Sequence, residues 1–203
     1  MSPRAYRAYP AVTKAAFVAE MEAHAAADRI VSGHYWQDGT GCAVGCGVQS
    51  IMKLDGTNLS HSDHTAHAAA LGIPEWLSQV QDTLFEDLPK PRQQAFPIEF
   101  ARALPDGADL SGLYAMWMPW VLREIALPAA GDDAVVCAVV ERVAVGIQTG
   151  WAHDNRAAAR AAAGYAAGAA AGAAAGAAAG AAAYVLMADK LLELMAASPV
   201  VAA

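Results

Sequence analysis

The sequence predicts an all-α protein of about six or seven helices, the last one long. Two observations carry this. Apolar residues recur every three or four positions, as in Leu77, Val80, Leu84 and Leu88, which is the period of one helix face. A late segment of alanine, the strongest helix former, runs from Ala161 to Ala183 with glycine interspersed.

The elements follow in order. Residues 1–11 read as an irregular lead. Thr13 can cap a helix reaching to about Val31, a stretch free of Gly and Pro, with Gly33 after its end. Glu20, His24 and Asp28 then fall at i, i+4 and i+8 on one face. Residues 35–41 are a turn or loop, and the segment bearing Cys42 and Cys46 opens a helix toward Met52, before a turn at Asp55-Gly56. Ser60 and Asp63 form a capping-box-like pair ahead of a helix from His64 to Leu71, stopped by Gly72. Pro74 suits the start of a helix from Glu75 to Leu88.

Pro89, Pro91 and Pro97 predict a stiff connection, then a short helix from Ile98 to Leu104. Asp109 or Ser111 starts a helix to Leu127 that Pro119 should kink, because proline donates no hydrogen bond and crowds the preceding turn. Asp132 and Asp133 cap Ala134 to about Thr149, with Val136, Val140, Val143 and Ile147 at helical spacing. The β-branched residues there permit a strand; length and continuity favour a helix.

Composition changes at about residue 150, which divides the chain into a helical domain, 1–150, and an Ala/Gly-repeat helix with an amphipathic end, 151–203. Glycine recurs every fourth residue at Gly164, Gly168, Gly172, Gly176 and Gly180. Each costs about 1 kcal/mol relative to alanine, so five cost roughly 5 kcal/mol and a helix there needs a partner surface. Small residues at this spacing let a neighbouring backbone approach closely. One helix from Arg156 to Met195 would be roughly 60 Å long at 1.5 Å per residue. Val185, Leu186, Leu191, Leu192 and Met195 would anchor its end by burial.

The balance of charge excludes some functions. Charged residues are 16% of the 203 and the formal net charge is −7. An acidic chain without clustered Lys or Arg has little to neutralise phosphates, so no nucleic acid is expected. Residues 1–7 do not read as a signal peptide, since no apolar run follows. With three cysteines and no even framework, a reducing cytoplasm is the expectation. Ala161 to Ala188 is uncharged and long enough to span a bilayer. Alanine is near neutral for insertion and glycine adverse, so a membrane role is not expected.

The most informative stretch is Gly41-Cys42-Ala43-Val44-Gly45-Cys46-Gly47, with His34 and Tyr35 just upstream. Cysteines four apart on a helix share a face, where they can bind a metal, act as a redox pair or pack as small apolar residues. A structural zinc site usually needs four ligands, often two close pairs. Only one pair exists here, because Cys137 lies in an apolar run and reads as core. His24, His34, His61, His64 and His67 could complete a metal site with Cys42 and Cys46, with Asp28 or Glu20 as carboxylate options; His34, His24 and Asp28 are the ones nominated. His61, His64 and His67 are spaced by three, so His64 and His67 can share a face. The bland alternative makes the cysteines buried small residues and the histidines surface groups. Trp76, Trp117, Trp120 and Trp151 read as packing residues. No nucleophile elbow, phosphate loop or dinucleotide fingerprint is present.

Four strings together carry a resemblance: residues 41–46, Leu71-Gly-Ile-Pro-Glu-Trp-Leu77, Phe85-Glu-Asp-Leu-Pro89 and Pro105-Asp-Gly-Ala-Asp-Leu110. The chain resembles an uncharacterised family of bacterial and phage-borne proteins with a Gly-Cys-Ala-x-Gly-Cys string and a late alanine-rich repeat. The likeness covers about residues 17–150 and the segment 187–191. The family's repeats mix Ser and Trp into the alanines, where this chain has Gly. No activity comes with the resemblance.

The functional expectation is therefore a bacterial or phage-encoded structural or interaction protein whose Ala/Gly helix serves packing or self-association. The alternative is a metal- or thiol-dependent protein built around Cys42 and Cys46. An ice- or surface-binding helix ranks last, because no threonine follows Ala152 to supply regular hydroxyls. No catalytic residue and no cofactor is assigned from sequence.

Overall fold

The computed structural model describes residues 9–150 and 177–200. Its elements are helices: α1 (Lys14–Ala26), α2 (Ala43–Asp55), α3 (His64–Leu71), α4 (Glu75–Asp87), α5 (Lys90–Ala103), α6 (Leu113–Val121), a π-helical turn (Leu122–Ala126), α7 (Leu127–Ala130), α8 (Ala134–Gln148) and α9 (Ala177–Ala196). Among the described residues only isolated bridges occur outside them, such as Ile30 with Gly41. The fold is all-α. None of its helices is long and apolar enough to cross a membrane, among the described residues.

The caps explain the boundaries that the sequence predicts well. The Thr13 side chain accepts from the Ala16 amide at the start of α1, Asp63 accepts from Ala66, and Asp133 accepts from Val135 and Val136. Gly56 and Gly72 end α2 and α3 with φ of 69° and 67°, the left-handed conformation glycine adopts without steric cost.

Three expectations are corrected. The first helix ends at Ala26 rather than Val31. Asp28 takes a left-handed φ of 52°, so the Glu20-His24-Asp28 face is broken. The cap at α3 is Asp63; Ser60 bonds Ser62 instead. Pro89–Pro97 is not a connection: α5 runs from Lys90 to Ala103. Pro91 sits in its first turn, where a missing N–H costs little. Pro97 is accepted mid-helix because the helix is fastened by burial of Phe96 and Phe100, whose rings meet edge to face at 6.1 Å. Pro119 lies inside α6. The α pattern gives way after it, over Leu122–Ala126, where the Leu127 amide reaches back to the Leu122 carbonyl. Pro128 supplies a cause, since it cannot donate to the carbonyl four residues earlier and its ring crowds that turn.

The described residues belong to two compact units, residues 1–110 with 195–203, and residues 111–194. In the first unit α1 packs against α2 and α5, α3 against α4, and α2 and α5 also against α4. Its core holds Phe17, Met21, Ile51, Leu77, Phe85, Phe96 and Phe100. Burying each such side chain contributes about 1.5–3 kcal/mol. In the second unit Leu122, Ala126, Val140, Val143 and Ala144 form a core between the π turn and α8. Arg123 grips both oxygens of Glu141 beside it. The Trp117 indole N–H donates to the Met187 carbonyl at 3.1 Å. Cys137, expected in a core, is only half-buried.

The repeat glycines Gly164 to Gly176 and the proposed helix start at Arg156 lie outside the described residues. Of the anchors expected in α9, Leu191 and Met195 are fully buried, while Leu186 is exposed. Gly180, the one repeat glycine described, has nothing among the described residues within 4 Å of where a Cβ would stand.

Candidate metal centre

The site is built on the start of α2 and one face of α4. Cys42 is the N-cap of α2, in extended conformation, and its sulfur accepts from the Gly45 amide at 3.4 Å. The loop before it is tied down by backbone bonds: Gly41 to the Arg29 carbonyl, Val31 to the Gly41 carbonyl and Cys42 to the His34 carbonyl, each 2.9 Å. Tyr35 then crosses directly over the first turn of α2. A Cβ on Gly41 would stand 2.0 Å from the Tyr35 carbonyl oxygen, and one on Gly45 only 1.5 Å. This is the physical reason for the glycine frame around Cys42: any side chain would push Tyr35 away.

Helix α4 presents Ser78, Asp82 and Glu86 at i, i+4 and i+8, one stripe of a face. The Cys42 thiol donates to Asp82 Oδ1 at 3.2 Å. The Tyr35 hydroxyl donates to Asp82 Oδ2 at 3.1 Å. The Gly33 amide, in a left-handed turn at φ 99°, donates to Glu86 Oε2 at 2.8 Å. Among the described residues, Cys42, Asp82 and Glu86 are the one group of three such side chains whose ligand atoms lie within 4.8 Å of one another. Cys42 is buried, Asp82 half-buried and Glu86 exposed, so the group opens to solvent on the Glu86 side.

Around it runs a chain of polar side chains. His64 Nε2 lies 3.2 Å from the Tyr35 hydroxyl and 3.5 Å from Asp82 Oδ2. His64 Nδ1 lies 3.1 Å from Ser78 Oγ, and His67 Nδ1 lies 2.9 Å from the same oxygen. The expectation that His64 and His67 share a face is met, since both reach one hydroxyl.

Electrostatically the group is short of positive charge. Burial pushes the Cys42 thiol well above the ordinary range, and Asp82 pushes it further; the Gly45 and Val44 amides at the helix start pull the other way. The Tyr35 hydroxyl is raised to about 12 by burial and by Asp82. The Glu86 carboxyl is raised by burial, with Asp82 and Asp87 adding to it. Each group holds its proton more tightly than it would in water.

Of the five residues nominated from sequence, only Cys42 joins this group. Cys46 is buried on α2, and its thiol donates to the Gly41 carbonyl at 3.3 Å and faces the Arg29 carbonyl at 3.7 Å. His34 Nε2 pairs with the Thr40 hydroxyl at 3.0 Å. His24 is buried edge-on to Trp36 at 5.7 Å, and Asp28 accepts from Gln94 at 3.3 Å. Glu20 bonds Lys53. Asp82 and Glu86 were hidden in sequence because α4 is amphipathic, and carboxylates four apart are ordinary on a wet helix face.

No family model, curated protein or solved structure matches the chain. A functional reading therefore starts from the chemistry of these side chains.

Proposed function

We propose that this chain binds one divalent transition-metal ion, zinc above others, on Cys42, Asp82 and Glu86. The observation that carries the reading is the convergence of a thiol and two carboxylates from α2 and α4, each already steadied by a protein donor. Asp82 Oδ2 and Glu86 Oε2 are engaged by Tyr35 and Gly33, and Asp82 Oδ1 stands against the Cys42 sulfur. Donors that fix a ligand's orientation are the usual companions of a metal site. A cation would replace the thiol proton and meet a thiolate already offered the Gly45 amide. The sulfur ligand favours zinc over magnesium or calcium, which prefer all-oxygen shells. Three protein ligands and a solvent-facing side leave a fourth position for water or a substrate oxygen, the arrangement of metal centres that do chemistry. The reading places the chain in a reducing cytoplasm, where Cys42 remains a thiol.

Elemental analysis of protein purified under reducing conditions tests this. About one equivalent of zinc is expected, lost in Cys42→Ala and Asp82→Asn and kept in Cys46→Ala. Protein that neither carries zinc nor takes it up, or that loses it equally in Cys46→Ala, overturns the reading.

A further inference from the structure

The polar chain beside the candidate centre has a direction, and the fully buried His67 decides it. Its Nδ1 faces Ser78 Oγ at 2.9 Å, while its Nε2 has no hydrogen-bond partner among the described residues. The neighbours there are the backbone of Gly47 and the ring of Phe17; a Cβ on Gly47 would stand 2.7 Å from Nε2. Burial, with His64 nearby, lowers the pKa of His67 to about 3, so at neutral pH it carries a single ring proton. A buried N–H without an acceptor is costly and rare. The proton therefore belongs on Nδ1, donated to Ser78 Oγ. Ser78 Oγ has lone pairs for both rings, but if both donated, its own buried hydrogen would face no acceptor among the described residues; that hydrogen therefore goes to His64 Nδ1 at 3.1 Å. With Nδ1 accepting, that nitrogen is bare and the ring proton of His64 stands on Nε2, aimed at the Tyr35 oxygen and Asp82 Oδ2. Tyr35 in turn donates to Asp82. Every hydrogen in the chain points toward one carboxylate. The reverse polarity would strand an N–H of His67 in the core.

We propose that the buried His67–Ser78 pair fixes His64 in the tautomer protonated at Nε2, so that His64 steadies Tyr35 and Asp82 as a donor and is kept out of the metal's coordination sphere. Only the last clause rests on the metal reading above. A neutral imidazole beside a thiol and two carboxylates would otherwise complete a closed four-ligand site. Held as a donor, it leaves the fourth position open. His67 and Ser78 are positioning residues: neither belongs to the ligand group.

The test is a long-range proton–nitrogen spectrum of histidine-labelled wild-type protein at pH 8, with and without cadmium as the metal probe, His64 being assigned from His64→Ala. The nitrogen shifts should show a protonated Nε2 and a bare Nδ1 on His64 in both samples, with no cadmium–nitrogen coupling. A proton on Nδ1 of His64 overturns the relay, and coupling to His64 overturns its exclusion from the metal. In Ser78→Ala, His64 should populate both tautomers and cadmium affinity should fall by about 10–100-fold, against loss of the site in Asp82→Asn. A single Nε2-protonated form in Ser78→Ala also overturns the relay. If no cadmium binds at all, the metal reading and the last clause fall together, while the metal-free spectrum still decides the tautomer.

Discussion

The Cys42 thiol stands 3.2 Å from the Asp82 carboxylate and donates to it, which binds α2 to α4 and makes the thiol a poor nucleophile. Burial is the first reason the sulfur keeps its proton, and the neighbouring carboxylate adds to it. Alkylation by iodoacetamide requires thiolate. Metal-free protein at pH 8 should therefore react at Cys42 far more slowly than a free cysteine. Asp82→Asn should speed the reaction by about tenfold, one pKa unit's worth. It should stay below the free rate because burial remains. Site-resolved mass spectrometry reads both rates, and an unchanged rate in Asp82→Asn would remove the carboxylate from the account.

Cys46 gives an alkaline signature without touching the candidate centre. Its thiol is raised to about 12, first by burial, against the pull of the Gly41 backbone and of Arg29. The folded state keeps a proton that the unfolded chain loses above about pH 8.5. Stability from this group is complete below that pH and declines as pH rises toward 12. At pH 10 the loss is about 2 kcal/mol. Urea unfolding at pH 7 and pH 10 should show a falling midpoint, and Cys46→Ala should flatten the fall even though it lowers stability at pH 7.

The contrast between α1 and α4 shows what sequence could and could not convey. Both carry polar residues at i, i+4 and i+8: Glu20, His24 and Asp28 in one, Ser78, Asp82 and Glu86 in the other. Spacing alone ranks them equally. The first fails because α1 stops at Ala26 and Asp28 turns left-handed. The second works because α2 delivers Cys42 against it, a tertiary fact. Caps such as Thr13, Asp63 and Asp133, and the stops at Gly56 and Gly72, were legible because their chemistry is local. Helix α5 was misread for the opposite reason: two prolines argue locally against it, and burial of Phe96 and Phe100 overrides them. The glycine frame of Cys42 was visible, but the object it makes room for, the Tyr35 carbonyl, was not.

His67 gives the matching signature in acid. Its pKa is lowered to about 3, chiefly by burial. The unfolded chain binds a proton at this histidine below about pH 6.5 while the folded chain refuses it. Stability is therefore complete above 6.5 and declines as pH falls toward 3. At pH 5 the loss is about 2 kcal/mol. His67→Gln should be less stable at pH 7, because it disturbs the Ser78 bond, and should lose less between pH 7 and pH 5. Denaturant midpoints across that interval check it; parallel losses in both proteins would assign the acid sensitivity elsewhere.

Two helical glycines should respond to alanine with opposite signs. Alanine gains about 1 kcal/mol of helix propensity over glycine at an interior position. At Gly45 the new methyl would stand 1.5 Å from the Tyr35 carbonyl oxygen, so the loop must move, and overpacking of this kind costs about 1–3 kcal/mol or more. Gly45→Ala should be destabilised and should pull the Tyr35 hydroxyl off Asp82, weakening zinc uptake. At Gly180 a Cβ meets nothing within 4 Å. Among the described residues, then, nothing approaches this glycine closely, and the propensity gain stands unopposed there. Gly180→Ala should raise the melting temperature by about 2–4 °C for a chain of this size. Self-association through the repeat is the competing role for this glycine, since a second copy could use the space. Sedimentation of wild type and Gly180→Ala separates the two. A higher melting temperature with unchanged association makes Gly180 an interruption of a helix; a lower melting temperature or weakened association makes it a contact point between copies.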